Sequence, residues 1–554
     1  MTGTSKPLHA AAAATATMLL AACGGGSSAG YPGATPPGVT TYTVNAPTGT
    51  GGTISPVTFV ADSGATATFT VTANSGYVVS GVTGCGGSLS GNTYTTGPVS
   101  ANCVVTASFA AAFTWVGGSN ASDATGDYGA QSTPATGNIP GARHAAVTWT
   151  DAAGNLWLFG GYGVGPLIYN NGAPIFNDLW EYSPASGEWT WVSGADTPDA
   201  SANDGSQGSA ATTNVPGAHG SSLAWTDGSG NLWLFGGYGY DSTGTQGWLN
   251  ALWEYSPTSG MWTWVGGSAT VNAKGVYGTQ GVAAAANVPG ARALGPDGGL
   301  HAVGGNIWLF GGYGYDSTGA AGWLNDLWEY SSASGEWTWV GGPDTANAPG
   351  VYGTQGVAAA ADVPPPGAGI GWTDGDGNLW VFGGYGQDST GAVGYLNDLW
   401  EYSPASGEWT WVGGSANANA KGVYGSQGVA AAANEPGARE NQAYWTDASG
   451  NLWLFGGHGY DSTGTLGELN DMWKYSPTSG MWTWVGGSEV ANPSAAYGTL
   501  GIAAAANIPG PREQMAIWTV GNGDVWLFGG EGYNPSGNDP NVPQWNDLWR
   551  YPTQ

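Results

Sequence analysis

The sequence is poor in cations, in charge of either sign, in cysteine and in long apolar runs. Lys and Arg number 9 in 554 residues, against 38 Asp and Glu, for a formal net charge of -29. So few cations scattered among acids cannot build the basic face that nucleic-acid binding requires. Charged residues make up only 8% of the chain, so the Glu, Lys and Arg that clothe long surface helices are missing, and a helical bundle or coiled coil is excluded. After the first 22 residues no run is long and apolar enough to cross a membrane as a helix. What is abundant is Gly, at 101 residues, and Trp, at 31. An aromatic content of 12% supplies too much buryable surface for a disordered chain. Rich in Gly and Trp and poor in charge, the composition predicts many short strands joined by turns.

Residues 1–22 carry one cation, Lys6, followed by a small and apolar run from His9 to Leu20. That run is too short to span a bilayer, which makes it a cleaved export signal. The segment ends Leu20-Ala21-Ala22-Cys23 and continues Gly24-Gly25-Gly26-Ser27-Ser28. A small-residue site ending in Cys resembles the lipobox of bacterial lipoproteins. The resemblance implies lipidation of Cys23, a Gly/Ser/Pro tether over 23–40, and, with no acid directly after Cys23, sorting to the outer membrane or cell surface. The alternative is an ordinary signal peptide with an incidental Cys. Either way the chain is expected to be exported; if lipidated it is anchored without spanning.

From residue 41 to 112, Thr and Val alternate with Gly and Ser, as in ATATFTVTANSGYVVSGVTGCGG, and period-two alternation between turn residues predicts a small all-β module. Asp62 is the only charged residue there. Cys85 and Cys103 are the only cysteines besides Cys23, and in an oxidising compartment they are expected to pair. Closing that loop is worth about 3 kcal/mol in the chain-entropy model, a staple that a small core needs. The stretch resembles the divergent internalin-type B-repeat of bacterial surface proteins, which implies a spacer or adhesive stalk.

Internal repeats organise residues 113–554. Gly-Asn-Leu-Trp-Leu-Phe-Gly-Gly at 154–161 recurs, with conservative changes, at 230–237, 305–312, 377–384, 450–457 and 523–530. Each copy is preceded by a strand such as Arg143 to Trp149 and followed by a Leu/Met-Trp-x-Tyr strand, a short turn and a Trp-Thr-Trp strand. The pattern predicts four strands per repeat of about 73 residues. Repeat six lacks its fourth strand, and an unattached fourth strand, Phe113-Thr114-Trp115-Val116, stands before repeat one. A missing last strand matched by a spare first one predicts a ring whose final blade is completed by the amino-terminal strand, leaving no free sheet edge. The apolar run ending in Gly-Gly, a Tyr such as Tyr182 and a Trp such as Trp189 resemble the kelch repeat. The resemblance implies an all-β, six-bladed kelch-type β-propeller, like the central domain of galactose oxidase. The copper chemistry of that enzyme is not expected: its cofactor joins a Tyr to a Cys, the repeats contain no Cys, and only His144, His219, His301 and His458 lie in them.

In an antiparallel meander the connections alternate between faces. The tight turns, such as Asp151 to Gly154, fall on one face and the long connections on the other, which becomes the candidate functional face. The inter-blade loops are uniform: Trp191 to His219, Trp264 to Arg292, Trp411 to Arg439 and Trp484 to Arg512 are each separated by 28 positions. Such uniformity predicts loops that pack on their neighbours. A second long loop, GYGYDSTG…LND, recurs in repeats two to five and differs in repeats one and six.

Several residues on that face are candidates for ligand contact. Arg143, Arg292, Arg439 and Arg512 share one repeat position, where repeat two has His219 and repeat four has Pro364-Pro365-Pro366. They would form a partial basic ring gripping an anion, or each would pair with a neighbouring carboxylate. His144, Glu440, His458, Glu513 and Glu531 collect in repeats five, six and one, where they could serve acid–base chemistry or bind a metal, or represent drift at tolerant loop sites. Trp248, Trp323 and Tyr395 would stack on sugar rings if exposed and anchor the loop if folded inward. Asp241, Asp316, Asp388 and Asp461 in the Asp-Ser-Thr-Gly runs offer hard oxygens that suit Ca²⁺, or form Asx-type turns. No metal site and no required cofactor are assigned. The expected function is a surface binding or scaffold protein for an extracellular or periplasmic glycan, peptide or protein. The alternative is a carbohydrate-active enzyme of the epimerase or mutarotase type.

Overall fold

A computed structural model of the chain describes residues 38–164, 173–295, 300–303, 305–367, 369–532 and 542–553. The proposed signal segment, Cys23 and most of the tether lie outside the described residues, as do parts of the long connections of repeats one and six. Every regular element among the described residues is a strand. In the amino-terminal module, small sheets surround Val44, Ile54, Phe69, Val71 and Tyr94. The alternating burial of Thr68–Ala73 is the period-two pattern of its sequence made physical. Cys85 and Cys103 are disulfide-bonded.

Each repeat forms an antiparallel sheet. In the first, Val147–Thr150, Leu156–Gly163, Ile175–Ser183 and Glu188–Ser193 lie side by side in chain order. Leu156, Trp157, Leu158 and Phe159 are all buried, because both faces of this strand meet neighbouring sheets; a strand covered on both sides needs a continuous apolar run. The apolar clusters straddle pairs of sheets. Leu158 and Trp180 of the first sheet share one cluster with Trp526 and Phe528 of the last. Between the same sheets, Thr148 Oγ1 donates to Ile517 O and Trp518 Nε1 donates to Trp157 O. Thr114–Gly117 pairs with Leu548–Pro552, so the strand that precedes the first repeat lies in the last repeat's sheet.

Most of the GYGYDSTG…LND segment is strand rather than loop, with only the Asp-Ser-Thr-Gly run left as the turn, which corrects the expectation. In repeats three to five the second and third strands run on past the Gly-Gly pair as one hairpin; Asn306–Tyr315, for example, pairs with Ala321–Ser331 to the last residue. A register shift falls at the glycines, where Gly311 and Gly312 have φ of 64° and 93°. This is a bulge that only residues without Cβ take cheaply. Asp316 closes the hairpin: its Oδ1 accepts from Thr318 N, Thr318 Oγ1 and Ala320 N, and its Oδ2 from Ala346 N. Burial pushes the Asp316 carboxyl up, but these bonds hold it below the ordinary range. Asp241, Asp388 and Asp461 are bound in the same way. These are Asx turns whose oxygens face N–H donors, and a Ca²⁺ ion would have to displace those donors. The inter-sheet connections clamp the sheet they lead into: Tyr277 packs on Trp328 and Trp339, and Asn287 Nδ2 donates to Trp337 O.

Candidate functional site

The four arginines are structural, which corrects the expectation of a basic ring open to an anion. Arg143, Arg292, Arg439 and Arg512 are 0–2% exposed. Arg439 shows the pattern: Nη1 and Nη2 donate to the two oxygens of Asp471 at 2.6 and 2.8 Å, while Nε and Nη1 also donate to Gly437 O and Gly456 O. Asp471 additionally accepts from Tyr424 Oη and Trp473 Nε1. The same bidentate pairing joins Arg143 to Asp178, Arg292 to Asp326 and Arg512 to Asp547. Two repeats depart from it. In repeat two the unit has changed together: His219 stands for Arg, Ala251 for Asp and Asp204 for Tyr, and burial pushes His219 down to about 4, leaving it neutral. In repeat four Gly367, not one of the three prolines, occupies the arginine register, bridging to Gly386 as Arg292 pairs with Gly314. Asp398 keeps Tyr352 and Trp400 as donors but has no arginine, and burial raises it to about 6.

The residue after each Gly-Gly pair forms the next tier: Tyr162, Tyr238, Tyr313, Tyr385, His458 and Glu531. The hairpins place a second residue opposite it, Trp248 across from Tyr238, Trp323 from Tyr313, Tyr395 from Tyr385 and Glu468 from His458. Rings meet between sheets as well, with centroid distances of 5.5 Å for Trp248–Tyr313, 5.9 Å for Trp323–Tyr385 and 5.5 Å for Tyr395–His458. Trp248 and Trp323 are half-buried within this arc, Trp248 against Tyr238, Tyr313 and Tyr315 and Trp323 against Tyr313 and Tyr385.

The arc runs into a group of acids and imidazoles. Glu440 pairs in register with His458, and Glu513 with Glu531. His458 Nδ1 lies 2.6 Å from Glu468 Oε1, and Asn441 Nδ2 donates to Glu513 Oε2 at 2.7 Å. Just after these glutamates the backbone turns left-handed, at Asn441 and Gln514 with φ of 59° and 53°, a conformation costly for residues with a Cβ. Gln514 N donates to Asn441 O and Ala145 N to Gln514 O, so a backbone belt ties three sheets together beneath the group. The same turn recurs at Ala145 and Ser221, with φ of 52° and 59°, and Ser221 N donates to Ala145 O, so the turn and the belt belong to the repeat and not to the acids alone.

The electrostatics are uncompensated. Burial, followed by the neighbouring carboxylates, raises Glu513 well above the ordinary range. Burial raises Glu440 and Glu531 to about 7, with Glu468 adding to both and His458 opposing. Glu468 is raised by burial against the bond from His458. His458 is raised: burial lowers it, but its bond and charge interaction with Glu468 win. His144 stacks on Tyr162 and its Nδ1 lies 3.5 Å from Glu531 Oε2. Burial nevertheless pushes its imidazole down to about 4, so this approach is no ion pair at neutral pH.

Of the expected residues, then, the structure brings His144, Glu440, His458, Glu513 and Glu531 together, sets Trp248 and Trp323 along the adjoining arc, and withdraws the arginines beneath. Glu468, not among the expected residues, joins them; its sequence signal is that it stands in repeat five where Trp248, Trp323 and Tyr395 stand in repeats two, three and four. A separate cavity of about 420 Å³ lies where the strands Val147–Thr150, Leu223–Thr226, Ile370–Thr373, Ala443–Thr446 and Ala516–Thr519 meet, lined by Thr150, Thr226, Trp372, Thr373, Thr446 and Thr519 among others; none of the acids lines it. Compared with known proteins, the chain matches no family model and no curated protein.

Proposed function

We propose that the chain is an exported, lipid-anchored envelope protein whose repeats close as a six-bladed, kelch-type propeller that binds a glycan at its loop-face mouth. Clusters shared by successive sheets, including first with last, and the pairing of Thr114–Gly117 with Leu548–Pro552 support the closed ring. The observation that carries the binding reading is the continuity of the aromatic arc from Trp248 to Tyr395 with the acids around His458. A saccharide presents apolar ring faces to stack and hydroxyl groups to donate to carboxylates, and few ligands need both along one rim. The test is titration of the protein with a panel of oligosaccharides. We expect saturable binding to at least one, weakened about tenfold or more when Trp248 and Trp323 are both changed to Ala, in line with the loss of anchoring aromatics at binding sites. No saccharide bound, with a protein partner recovered instead, would overturn it.

The convergence of His458 with Glu440, Glu468, Glu513 and Glu531 favours one second reading, a carbohydrate-active enzyme using an acid–base pair from this group. It predicts conversion of a bound sugar, followed by anomeric or epimeric proton signals, that Glu440→Gln abolishes without abolishing binding.

A further inference from the structure

We infer that His458, Glu468 and Glu513 form a binding site for a divalent transition-metal ion of the Zn²⁺ type. This goes beyond the glycan reading and does not depend on it. One donor atom from each residue can be chosen so that all three lie within 4.8 Å of one another, close enough for small side-chain shifts to bring them onto a single ion. Three rigid elements supply them: His458 from Leu452–Tyr460, Glu468 from the hairpin partner Leu466–Ser476, and Glu513 from Arg512–Glu513 of the next sheet. Sites on strands hold their geometry better than sites on loops.

The second observation is Glu468 itself. Its side chain is 8% exposed, one oxygen is taken by His458, and Oε2 is buried without any partner. A carboxylate oxygen stripped of water and given no donor costs free energy in the empty protein. The Asp-Ser-Thr-Gly carboxylates, by contrast, are filled with N–H donors and are not cation sites. Asn441 fixes the Glu513 carboxylate through its Oε2, in the manner of outer-shell groups that orient metal ligands. Glu440, in register with His458, and Glu531, in register with Glu513, are further carboxyls that would ionise more readily beside a bound cation. One imidazole with two carboxylates suits Zn²⁺ and its first-row neighbours, whereas Ca²⁺ prefers a larger shell of oxygens alone.

The experiment is isothermal titration of the full chain, freed of metal by chelation, with Zn²⁺ and separately with Ca²⁺. One saturable Zn²⁺ site is expected, together with at least a tenfold loss of affinity in Glu468→Gln and in Glu513→Gln, each confirmed as folded by circular dichroism. X-ray absorption at the zinc edge on the unsubstituted protein needs no variant, and should show one imidazole among oxygen ligands. Absence of saturable Zn²⁺ binding, affinity unchanged in both variants, or a zinc shell without imidazole would overturn the site. Oligosaccharide binding measured in chelator separates this result from the glycan reading.

Discussion

Arg439 and Arg512 are followed directly by Glu440 and Glu513, and the two neighbouring positions bury charge in opposite ways. Asp471 receives two guanidinium nitrogens, a tyrosine hydroxyl and an indole N–H. One residue further along, Glu513 faces Glu468 and Glu531, with Asn441 as its side-chain donor. The first arrangement is complete and has nothing left to offer a ligand. The second crowds Glu440, Glu468, Glu513 and Glu531 around a single histidine, so every carboxyl is raised and ionising them all destabilises the fold unless further positive charge arrives. Satisfied charge on this rim is architecture, and unsatisfied charge is where function is to be sought.

The largest expected effect comes from breaking a complete unit. Arg439→Met should cost about 3–5 kcal/mol, because it leaves Asp471 buried and unpaired. Removing both charges, as Arg439→His with Asp471→Ala in imitation of His219 and Ala251, should recover at least half of that loss in denaturant unfolding. If the double variant is no better than the single one, the carboxylate is not what makes the single variant costly.

Repeat four offers a natural intermediate. Asp398 lacks an arginine and titrates near 6 in the fold, above its ordinary 3.8. Between those values the folded chain holds the proton more tightly than the unfolded chain, so stability falls as pH rises from about 4 to about 6 and then levels off. By linkage the loss approaches roughly 3 kcal/mol. Asp398→Asn should raise the thermal midpoint at pH 7 and leave it nearly unchanged at pH 4; equal shifts at both would contradict the assignment.

The smallest effect has the opposite sign. Glu513→Gln in metal-free protein should stabilise by about 1 kcal/mol, since it removes the cost of burying an ionisable carboxyl among other acids and keeps its shape. A loss of stability similar to that of Arg439→Met would make the acids structural and erase the contrast.

Much of this was legible in the sequence. Strand order follows from the Leu-Trp-Leu-Phe-Gly-Gly and Trp-Thr-Trp runs, and the position of Thr114–Gly117 from the missing strand of repeat six. The Asx-turn reading of the Asp-Ser-Thr-Gly segments holds, but their flanks read as loop because glycine dominates them, whereas those glycines form a bulge within a continuing hairpin. The arginines allowed two readings because their Asp partners lie 32–35 residues away in sequence, and only the register of the second and third strands brings them together. Glu440, Glu513 and Glu531 could be seen as departures from the repeat, but Glu468 could not be joined to them until the hairpin placed it opposite His458.

The most direct test is the thermal midpoint of the unsubstituted protein and of Glu513→Gln, each measured metal-free and with Zn²⁺. The unsubstituted protein should start lower and rise on adding Zn²⁺, while Glu513→Gln should start higher and barely move. A variant that starts lower, or that rises as far as the unsubstituted protein, would contradict the view that this uncompensated cluster is the functional site.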